Sequence, residues 1–146
     1  NKKKLPLTHF DMTRFNISLK ESIELVEKAI KYGTGGEIFV PKLKSFYIRD
    51  LIKVVTKKVN HFNIVGIRPG EKIHEELISS AELKDTISSK DHFVVLSNST
   101  TKQLMEYCKG KNYKKVNNDF TYNSGTNKNF LSLKELKKIV DAYSAN

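Results

Sequence analysis

Apolar residues in the first quarter of the chain recur with the spacing of an amphipathic helix. They lie three or four positions apart, at Leu19, Ile23, Val26 and Ile30. Ser18 and Glu21 have the spacing of a capping box, in which the hydroxyl and the carboxylate bind free backbone amides at a helix start. Gly33 suits the other end. The pattern therefore predicts a helix from Ser18 to about Gly33.

Short apolar runs and helical periodicity alternate along the rest of the chain. In chain order we predict a strand at 37–40, a helix at 47–59, a strand at 63–67, a helix carrying Ile73 and Leu77, and a short helix after Ser79. We then predict a strand at 92–96, a polar irregular segment at 97–130 with one short helix near 102–107, and a closing helix at 132–143. Helices and strands in this order predict an α/β fold.

The composition is that of a soluble globular protein. The chain has 146 residues, 38% hydrophobic and 29% charged, which is enough for one domain with a core. The longest apolar run, 93–96, is too short to cross a bilayer, so we expect no membrane partner. A single cysteine, Cys108, favours a reducing, cytoplasmic compartment. The chain starts at Asn1 without an initiating Met or a signal core, so we expect it to be excised from a longer protein.

The net charge of +10 raises the question of nucleic-acid binding. Of the 26 basic residues, 23 are lysines scattered along the chain, and no zinc finger, helix-turn-helix or RNP-like aromatic strand accompanies them. A basic nucleic-acid-binding domain is therefore the least favoured class of function. The arginines are Arg14, Arg49 and Arg68, and the first and last of them lie in the segments that most resemble a ligand site.

The segment 66–76 carries the most chemical information. Its Arg68-Pro69-Gly70-Glu71 stretch follows an apolar run, and an arginine at a strand end suits gripping phosphate through two parallel hydrogen bonds. A plain β-turn also explains the Pro-Gly pair, and from these residues alone it is the favoured interpretation. Arg14 is a second candidate for phosphate, with the hydroxyls of Thr8 and Thr13 close in sequence, and it equally fits an ordinary surface cation.

Three further patterns do not support a site. His74-Glu75 resembles the start of a zinc-binding helix, but Ile78 stands where the second histidine belongs, so we predict no metal site. The Gly-rich run 33–36 follows a helix and precedes a strand, the reverse of a dinucleotide-binding loop. The stretch 107–111 has the Tyr-x-x-x-Lys spacing of short-chain dehydrogenases, but a glycine interrupts it and no cofactor fold precedes it.

Four motifs occur in an order that resembles one family. They are Thr8-x-x-x-Met12-Thr13-Arg14-Phe15, Gly35-Gly36-Glu37-Ile38-Phe39-Val40-Pro41, Gly66-Ile67-Arg68-Pro69-Gly70-Glu71-Lys72-x-His74-Glu75 and Tyr122-Asn123-Ser124-x-Thr126-Asn127. Together they resemble the C-terminal half of bacterial UDP-N-acetylglucosamine (UDP-GlcNAc) 4,6-dehydratases, extended short-chain dehydrogenase/reductases of polysaccharide and flagellar-glycan biosynthesis. The resemblance implies the C-terminal substrate-binding part of such an α/β enzyme, without its N-terminal Rossmann NADP-binding half.

The resemblance also implies roles for individual residues. Thr8 matches a threonine beside the nucleotide sugar, Arg68 matches an arginine suited to the diphosphate, and Glu71 matches a glutamate suited to ribose or sugar hydroxyls. Arg14 is either a phosphate contact or a brace for the site. The family's NADP loop and its catalytic residues lie upstream of the position that matches Thr8. We therefore expect no catalytic residue in this chain and no NADP bound by it alone, although the full-length enzyme uses NADP.

These inferences lead to one favoured function and several alternatives. Residues 1–82 are predicted to form a substrate-binding α/β region, and residues 83–146 a C-terminal extension. The favoured function is the nucleotide-sugar-binding portion of a UDP-GlcNAc 4,6-dehydratase-like enzyme, inactive alone. Its expected partners are a UDP-sugar and the missing N-terminal cofactor-binding half. A UDP-sugar 4-epimerase of capsule synthesis, a non-catalytic module and half of a split enzyme remain open, as does a homo-oligomer.

Overall fold

The computed structural model describes residues 4–96, 101–109, 112–117 and 119–144. The chain divides into two units, each built from segments that are distant in sequence. Unit 1 takes its residues from Asn1–Asn16, Leu43–Glu75 and Asn123–Asn146, and unit 2 from Ile17–Lys42 and Glu76–Tyr122. The predicted division into 1–82 and 83–146 concerns function, and it stays a prediction.

Strands and helices are mixed along the chain. The strands are β1 (Leu5–Leu7), β2 (Thr13–Asn16), β3 (Glu37–Pro41), β4 (Lys44–Tyr47), β5 (Phe62–Ile64), β6 (Glu76–Ile78), β7 (Thr86–Ser88), β8 (His92–Leu96), β9 (Lys114–Lys115) and β10 (Tyr122–Asn123). The helices are α1 (Leu19–Tyr32), α2 (Ile48–Thr56), α3 (Thr101–Cys108) and α4 (Leu133–Ser144), with a 3-10 helix at Ser80–Asp85. The predicted α/β class is confirmed, and β3, α2, β5 and α4 lie close to their predicted positions.

Unit 1 is built on two short strand pairs and two helices. β1 pairs in parallel with β5, and β2 pairs antiparallel with β4. α2 packs against β4, β1 and α4. Among the described residues of the unit, the buried apolar ones are Leu7, Met12, Leu43, Ile52 and Leu136. Backbone hydrogen bonds from Val65 to Leu7 and from Thr13 to Ile73 bring the segment after β5 alongside β1 and β2.

Unit 2 is built on a four-stranded antiparallel sheet. Its strand order is β3-β8-β7-β9, so β8 lies inside the sheet. Every residue of β8 is buried, which explains the apolar run at 93–96 and confirms the predicted strand. Its core contains Ile87, Val94, Leu96 and Leu104.

Helix α1 confirms the first sequence prediction but does not bury its apolar stripe. The Ser18 hydroxyl accepts from the Glu21 amide at 3.2 Å, and the Glu21 carboxylate accepts from the Ser18 amide at 2.7 Å, as in a capping box. The stripe is exposed, by 75% at Leu19, 52% at Ile23, 58% at Val26 and 80% at Ile30. These side chains therefore form an apolar face of α1 that the described residues leave largely uncovered.

The helix predicted after the Pro-Gly turn does not form. Residues 71–75 are irregular and lead directly into β6. The Ile73 carbonyl accepts from the Thr13 amide at 3.0 Å, and the Glu75 amide donates to the Ser124 hydroxyl at 2.9 Å. These long-range bonds satisfy backbone groups that a helix would have satisfied locally, and the sequence pattern does not reveal them.

The described parts of the polar stretch at 97–130 contain two strands that the sequence pattern did not predict. α3, β9 and β10 lie within it, and α3 confirms the short helix predicted near 102–107. Residues 97–100 lie outside the described residues. Leu104 is 5% exposed and packs in the core of unit 2, with Tyr113 against the same cluster. A few isolated apolar residues therefore order a segment whose average composition is polar.

The start of α4 is held by a charged contact. Lys44 Nζ donates to Glu135 Oε1 at 2.5 Å, and the Ser132 hydroxyl donates to Glu135 Oε2 at 2.7 Å. The hydrogen bond from Lys44, followed by those from Ser132, lowers the pKa of Glu135 from 4.5 to about 2. The carboxylate is therefore ionised over the whole range in which an ordinary glutamate titrates.

We expect the contribution of Glu135 to the free energy of unfolding to decrease at low pH, because the folded protein lowers the pKa of this carboxyl group. It is fully present above pH 4.5 and is lost as the pH falls through about 2. Urea unfolding should show that Glu135→Gln is less stable than wild type at neutral pH. The difference in stability should shrink as the pH approaches about 2. The exposed Glu106→Gln serves as the control for charge removal alone. A difference that does not change over this range would contradict the assignment.

Candidate functional site

The Arg-Pro-Gly-Glu segment of unit 1 forms a tight turn. The Glu71 amide donates to the Arg68 carbonyl at 3.0 Å, and Gly70 at the third position has φ of +79°. Proline at the second position and a positive φ at the third are the marks of a type II turn. Among the described residues other than Gly70 and its two chain neighbours, no heavy atom lies within 4 Å of the place that a Gly70 Cβ would occupy. The backbone conformation, not lack of space, is what requires glycine here.

The Glu71 side chain fixes this turn to the end of β1. The Thr8 hydroxyl donates to Glu71 Oε1 at 2.9 Å, and the Arg68 amide donates to Oε2 at 3.2 Å. The Arg68 amide, followed by the Thr8 hydroxyl, holds the pKa of Glu71 below 4.5. The structure therefore brings Thr8, Arg68 and Glu71 together, as their predicted roles require. An ionised carboxylate in this position has lone pairs left to accept further hydrogen bonds.

Arg14 makes several contacts inside the same unit. Its Nη1 donates to the Thr13 carbonyl at 2.7 Å and to the Ile73 carbonyl at 3.2 Å. Its Nε lies 3.2 Å from Glu75 Oε1. Arg14 thus ties β2 to the segment after the turn. Of the two roles that the sequence left open for it, this geometry favours the brace over the phosphate contact.

Arg68 differs from the other two arginines in the contacts of its guanidinium. Arg49, like Arg14, is engaged: its Nη1 donates to the Phe10 carbonyl at 2.8 Å and to Asp11 at 3.0 Å. The Arg68 side chain is exposed, and within the described part of the chain its guanidinium donates no hydrogen bond and forms no ion pair. Its backbone is held by the turn while its donors face solvent, which is the arrangement of a side chain available to an anionic ligand.

A buried polar chain lies beside Arg14. Thr13 is 0% exposed, and its Oγ1 lies 2.7 Å from His74 Nδ1 and 2.7 Å from Ser124 Oγ. The hydroxyl that the sequence offered to phosphate or sugar is therefore bonded inside the protein. No role for Ser124 is predicted from its sequence position, although the residue stands in the last of the four motifs. Ser124 contacts Thr13, which is more than a hundred positions away in the sequence. The residues around Ser124 therefore do not reveal this contact.

The glycine-rich run 33–36 does not fit a dinucleotide. It follows α1 and leads into β3, so no helix N-terminus comes after the glycines to meet a pyrophosphate. The Glu37 carboxylate accepts from the amides of Thr34 and Gly35, each at 2.7 Å. A carboxylate thus occupies the amides that a phosphate loop would offer. The arrangement agrees with the expectation from the sequence.

The Tyr-x-x-x-Lys match also gains no support. Tyr107 lies on α3, and burial, followed by the charge of Glu37, raises its pKa to about 12. A tyrosine that exchanges a proton near neutral pH needs a shift in the opposite direction. Lys111 lies outside the described residues.

Comparison with known proteins gives a consistent group of relatives. A family profile described as polysaccharide biosynthesis protein matches residues 1–97. The chain is 34% identical over 143 residues to UDP-N-acetylglucosamine 4,6-dehydratase (inverting) of Campylobacter jejuni, covering 95% of this chain and 42% of that protein. It is 30% identical to UDP-glucose 4-epimerase of Rickettsia rickettsii, again over 95% of this chain and 42% of that protein.

Two further comparisons extend this group. An uncharacterized membrane protein of Methanocaldococcus jannaschii is 39% identical over 94% of this chain, which covers 40% of that protein. Within the described residues of the present chain, no helix combines the length and the apolar character that a bilayer crossing needs. The X-ray structure of Pen from Bacillus thuringiensis matches with a TM-score of 0.71 and 27% identity, covering 97% of this chain and 41% of Pen. The chain spans about two fifths of the length of these relatives.

Proposed function

Because the chain belongs to the polysaccharide biosynthesis protein family, we propose that it is the nucleotide-sugar-binding portion of a UDP-GlcNAc 4,6-dehydratase-like enzyme of bacterial surface polysaccharide or glycan biosynthesis. The resemblance to 4,6-dehydratases that the four motifs predicted is confirmed by 34% and 35% identity to the enzymes of two Campylobacter jejuni strains. The named enzymes among the relatives act on UDP-linked sugars, so the proposed ligand is a UDP-sugar.

The observation that carries this proposal is that Arg68 has a backbone held by a turn and a guanidinium exposed to solvent. Its backbone is fixed by a type II turn, and Glu71 holds that turn to Thr8 at 2.9 Å. Its guanidinium is exposed, and in the described part of the chain it has no hydrogen bond and no ion pair. A fixed arginine with free donors is suited to a diphosphate, and the adjacent carboxylate is suited to ribose or sugar hydroxyls. Arg14 supports the site as a brace.

The proposal includes a second, cofactor-binding part of the enzyme. The chain covers 42% of the Campylobacter dehydratase, and its glycine-rich run does not fit a dinucleotide. The exposed apolar stripe of α1, which includes Leu19 at 75% and Ile30 at 80%, is the surface we assign to contact with that part. NADP would be held by the second part, and the chain alone would be inactive. A cytoplasmic location belongs to the same proposal.

A second candidate is a UDP-sugar 4-epimerase. It is favoured by the Rickettsia relatives, whose identity to this chain is 30% over 143 residues. Both enzymes bind a UDP-sugar, so the same Arg68 site serves either reaction.

The proposal is tested with a chimera in which this chain replaces its aligned portion of the Campylobacter dehydratase. We expect the chain alone to leave UDP-GlcNAc unchanged and the chimera to convert it, because the rest of that enzyme supplies the cofactor site. The product is followed by NMR, with UDP-glucose as a parallel substrate. Turnover by the chain alone would contradict its inactivity, and epimerisation by the chimera would favour the second candidate. A folded chimera that binds no UDP would overturn the proposal.

A further inference from the structure

Thr13, His74 and Ser124 form a polar chain, which we call the hydroxyl relay. Ser124 Oγ lies 2.7 Å from Thr13 Oγ1, which lies 2.7 Å from His74 Nδ1. Both hydroxyl-bearing side chains are 0% exposed. All three residues belong to unit 1, although they come from three separate segments of the sequence. The order of the protons along this chain determines which ring nitrogen of His74 carries hydrogen.

The Ser124 end of the relay sets that order. Its Oγ already accepts from the Glu75 amide at 2.9 Å, and a hydroxyl has only one hydrogen to donate. If Ser124 donates to Thr13, then Thr13 donates to His74 Nδ1 and every hydrogen has an acceptor. If the order were reversed, Ser124 would receive two donors, and its own buried hydrogen would have no acceptor within the described residues. Because an unsatisfied buried donor is costly, the first order is favoured.

The His74 ring is also confined on the side of Gly125. A Cβ added to Gly125 would lie 2.5 Å from His74 Nδ1 and 2.6 Å from its Cγ, so the ring rests where any other residue would place a side chain. With Nδ1 accepting from Thr13, the hydrogen of the neutral ring is on Nε2. Nε2 has no hydrogen-bond partner in the part of the chain that the structure describes. His74 therefore presents a donor and not a base.

We propose that the hydroxyl relay holds His74 as the Nε2–H tautomer, and that Ser124, at the other end of the relay, is a positioning residue that keeps Glu75 and Arg14 in place beside the Arg-Pro-Gly-Glu turn. Ser124 binds both backbone groups of Glu75, since its amide donates to the Glu75 carbonyl at 2.8 Å and its hydroxyl accepts from the Glu75 amide. The Glu75 carboxylate in turn lies 3.2 Å from Arg14 Nε. The consequence for ligand binding rests on the proposed function, whereas the tautomer does not.

The tautomer is measured on the full chain labelled with nitrogen-15. Long-range proton–nitrogen correlation spectra distinguish the two neutral forms of imidazole, and His74→Gln assigns the signal. We expect wild type to show Nε2–H. Thr13→Val, which keeps the shape but removes the hydroxyl, should give a mixture of tautomers, and Thr13→Ser should restore the wild-type pattern. An Nδ1–H signal in wild type would overturn the proposal without any variant.

Two further variants separate the relay from general destabilisation. Gly125→Ala should displace the ring and lose the Nε2–H preference while both hydroxyls remain. Ser45→Ala removes a different buried hydroxyl of unit 1, which accepts from Asn127 at 2.9 Å, and should leave the His74 signal unchanged. A tautomer that stays the same in Thr13→Val, or one that changes equally in Ser45→Ala, would show that the relay does not set it.

UDP added to the same samples tests the link to ligand binding. Thr13→Val should weaken UDP binding about three- to tenfold, the range expected from the loss of one neutral hydrogen bond that places the site. Thr13→Ser should bind like wild type. Unchanged UDP affinity in a Thr13→Val sample whose tautomer has changed would overturn the positioning role. If wild type binds no UDP, the proposed function is in question, and the tautomer alone decides the relay.

Discussion

Replacing Arg68 with alanine is expected to weaken UDP binding by the chimera about thirtyfold, equivalent to about 2 kcal/mol, because it removes a charge-assisted and bidentate contact. The Arg68 guanidinium has no hydrogen bond or ion pair among the described residues, so the change breaks neither kind of contact and removes only its electrostatic attraction to Glu71. The turn should persist, since Glu71 bonds to the Arg68 backbone and not to its side chain. Calorimetric titration with UDP measures the effect, and the melting temperature should change little.

Two variants show whether geometry or charge is responsible. Arg68→Lys keeps the charge but loses the fork of donors, so we expect affinity between that of wild type and Arg68→Ala. Lys72→Ala removes an exposed cation four positions away and should change affinity only slightly. Equal losses in Arg68→Ala and Lys72→Ala would indicate a diffuse electrostatic effect. Wild-type affinity in Arg68→Ala would remove Arg68 from the site.

Replacing Ile87 with alanine is expected to destabilise unit 2 strongly. Ile87 is 1% exposed and packs with Val94, Leu96 and Leu104. Truncating a buried isoleucine to alanine costs about 2–5 kcal/mol, because apolar contacts are lost and a cavity remains. That is a large share of the roughly 5–15 kcal/mol that stabilises a typical domain. Urea unfolding of the full chain should show a clearly lower midpoint.

The same substitution at Ile38 is the matched control. Ile38 lies on β3 in the same sheet but is 50% exposed, so Ile38→Ala should cost less than about 1 kcal/mol. The pair removes identical atoms from two depths of one sheet. Equal midpoints for the two variants would mean that the core cluster around Ile87 does not determine the stability of the chain.

Local signals explain which elements were predictable. The start of α1 follows from Ser18 and Glu21, and the start of α4 follows from Ser132 and Glu135, because capping joins residues three positions apart. β8 was predictable because a strand buried on both faces is mostly apolar, as residues 93–96 are. The segment 71–75 was not, since its backbone bonds to Thr13 and Ser124, which are remote in sequence.

In the candidate site, too, some features follow from the local sequence and others depend on contacts between distant segments. The pattern around Arg68 and Glu71 indicated a phosphate-binding turn, and the structure adds that Thr8 bonds to Glu71. Two roles remained open for Arg14 in the sequence. Contacts with the Ile73 carbonyl and the Glu75 carboxylate favour the brace, and neither is visible in a linear pattern. The binding roles themselves stay predictions until the Arg68 variants are measured.

The sequence by itself determined the helices with capping boxes, the central strand of unit 2, the α/β class and the family resemblance, because each depends on short-range spacing or on ordered motifs. Only the tertiary structure decided that the α1 stripe is exposed, that Thr13 is bonded inside the protein, and that Ser124 completes the relay to His74. These facts depend on which distant segments meet. A threonine hydroxyl can form the same hydrogen bonds with a ligand or with buried groups of the protein. Only its burial in the folded structure shows which of the two it does.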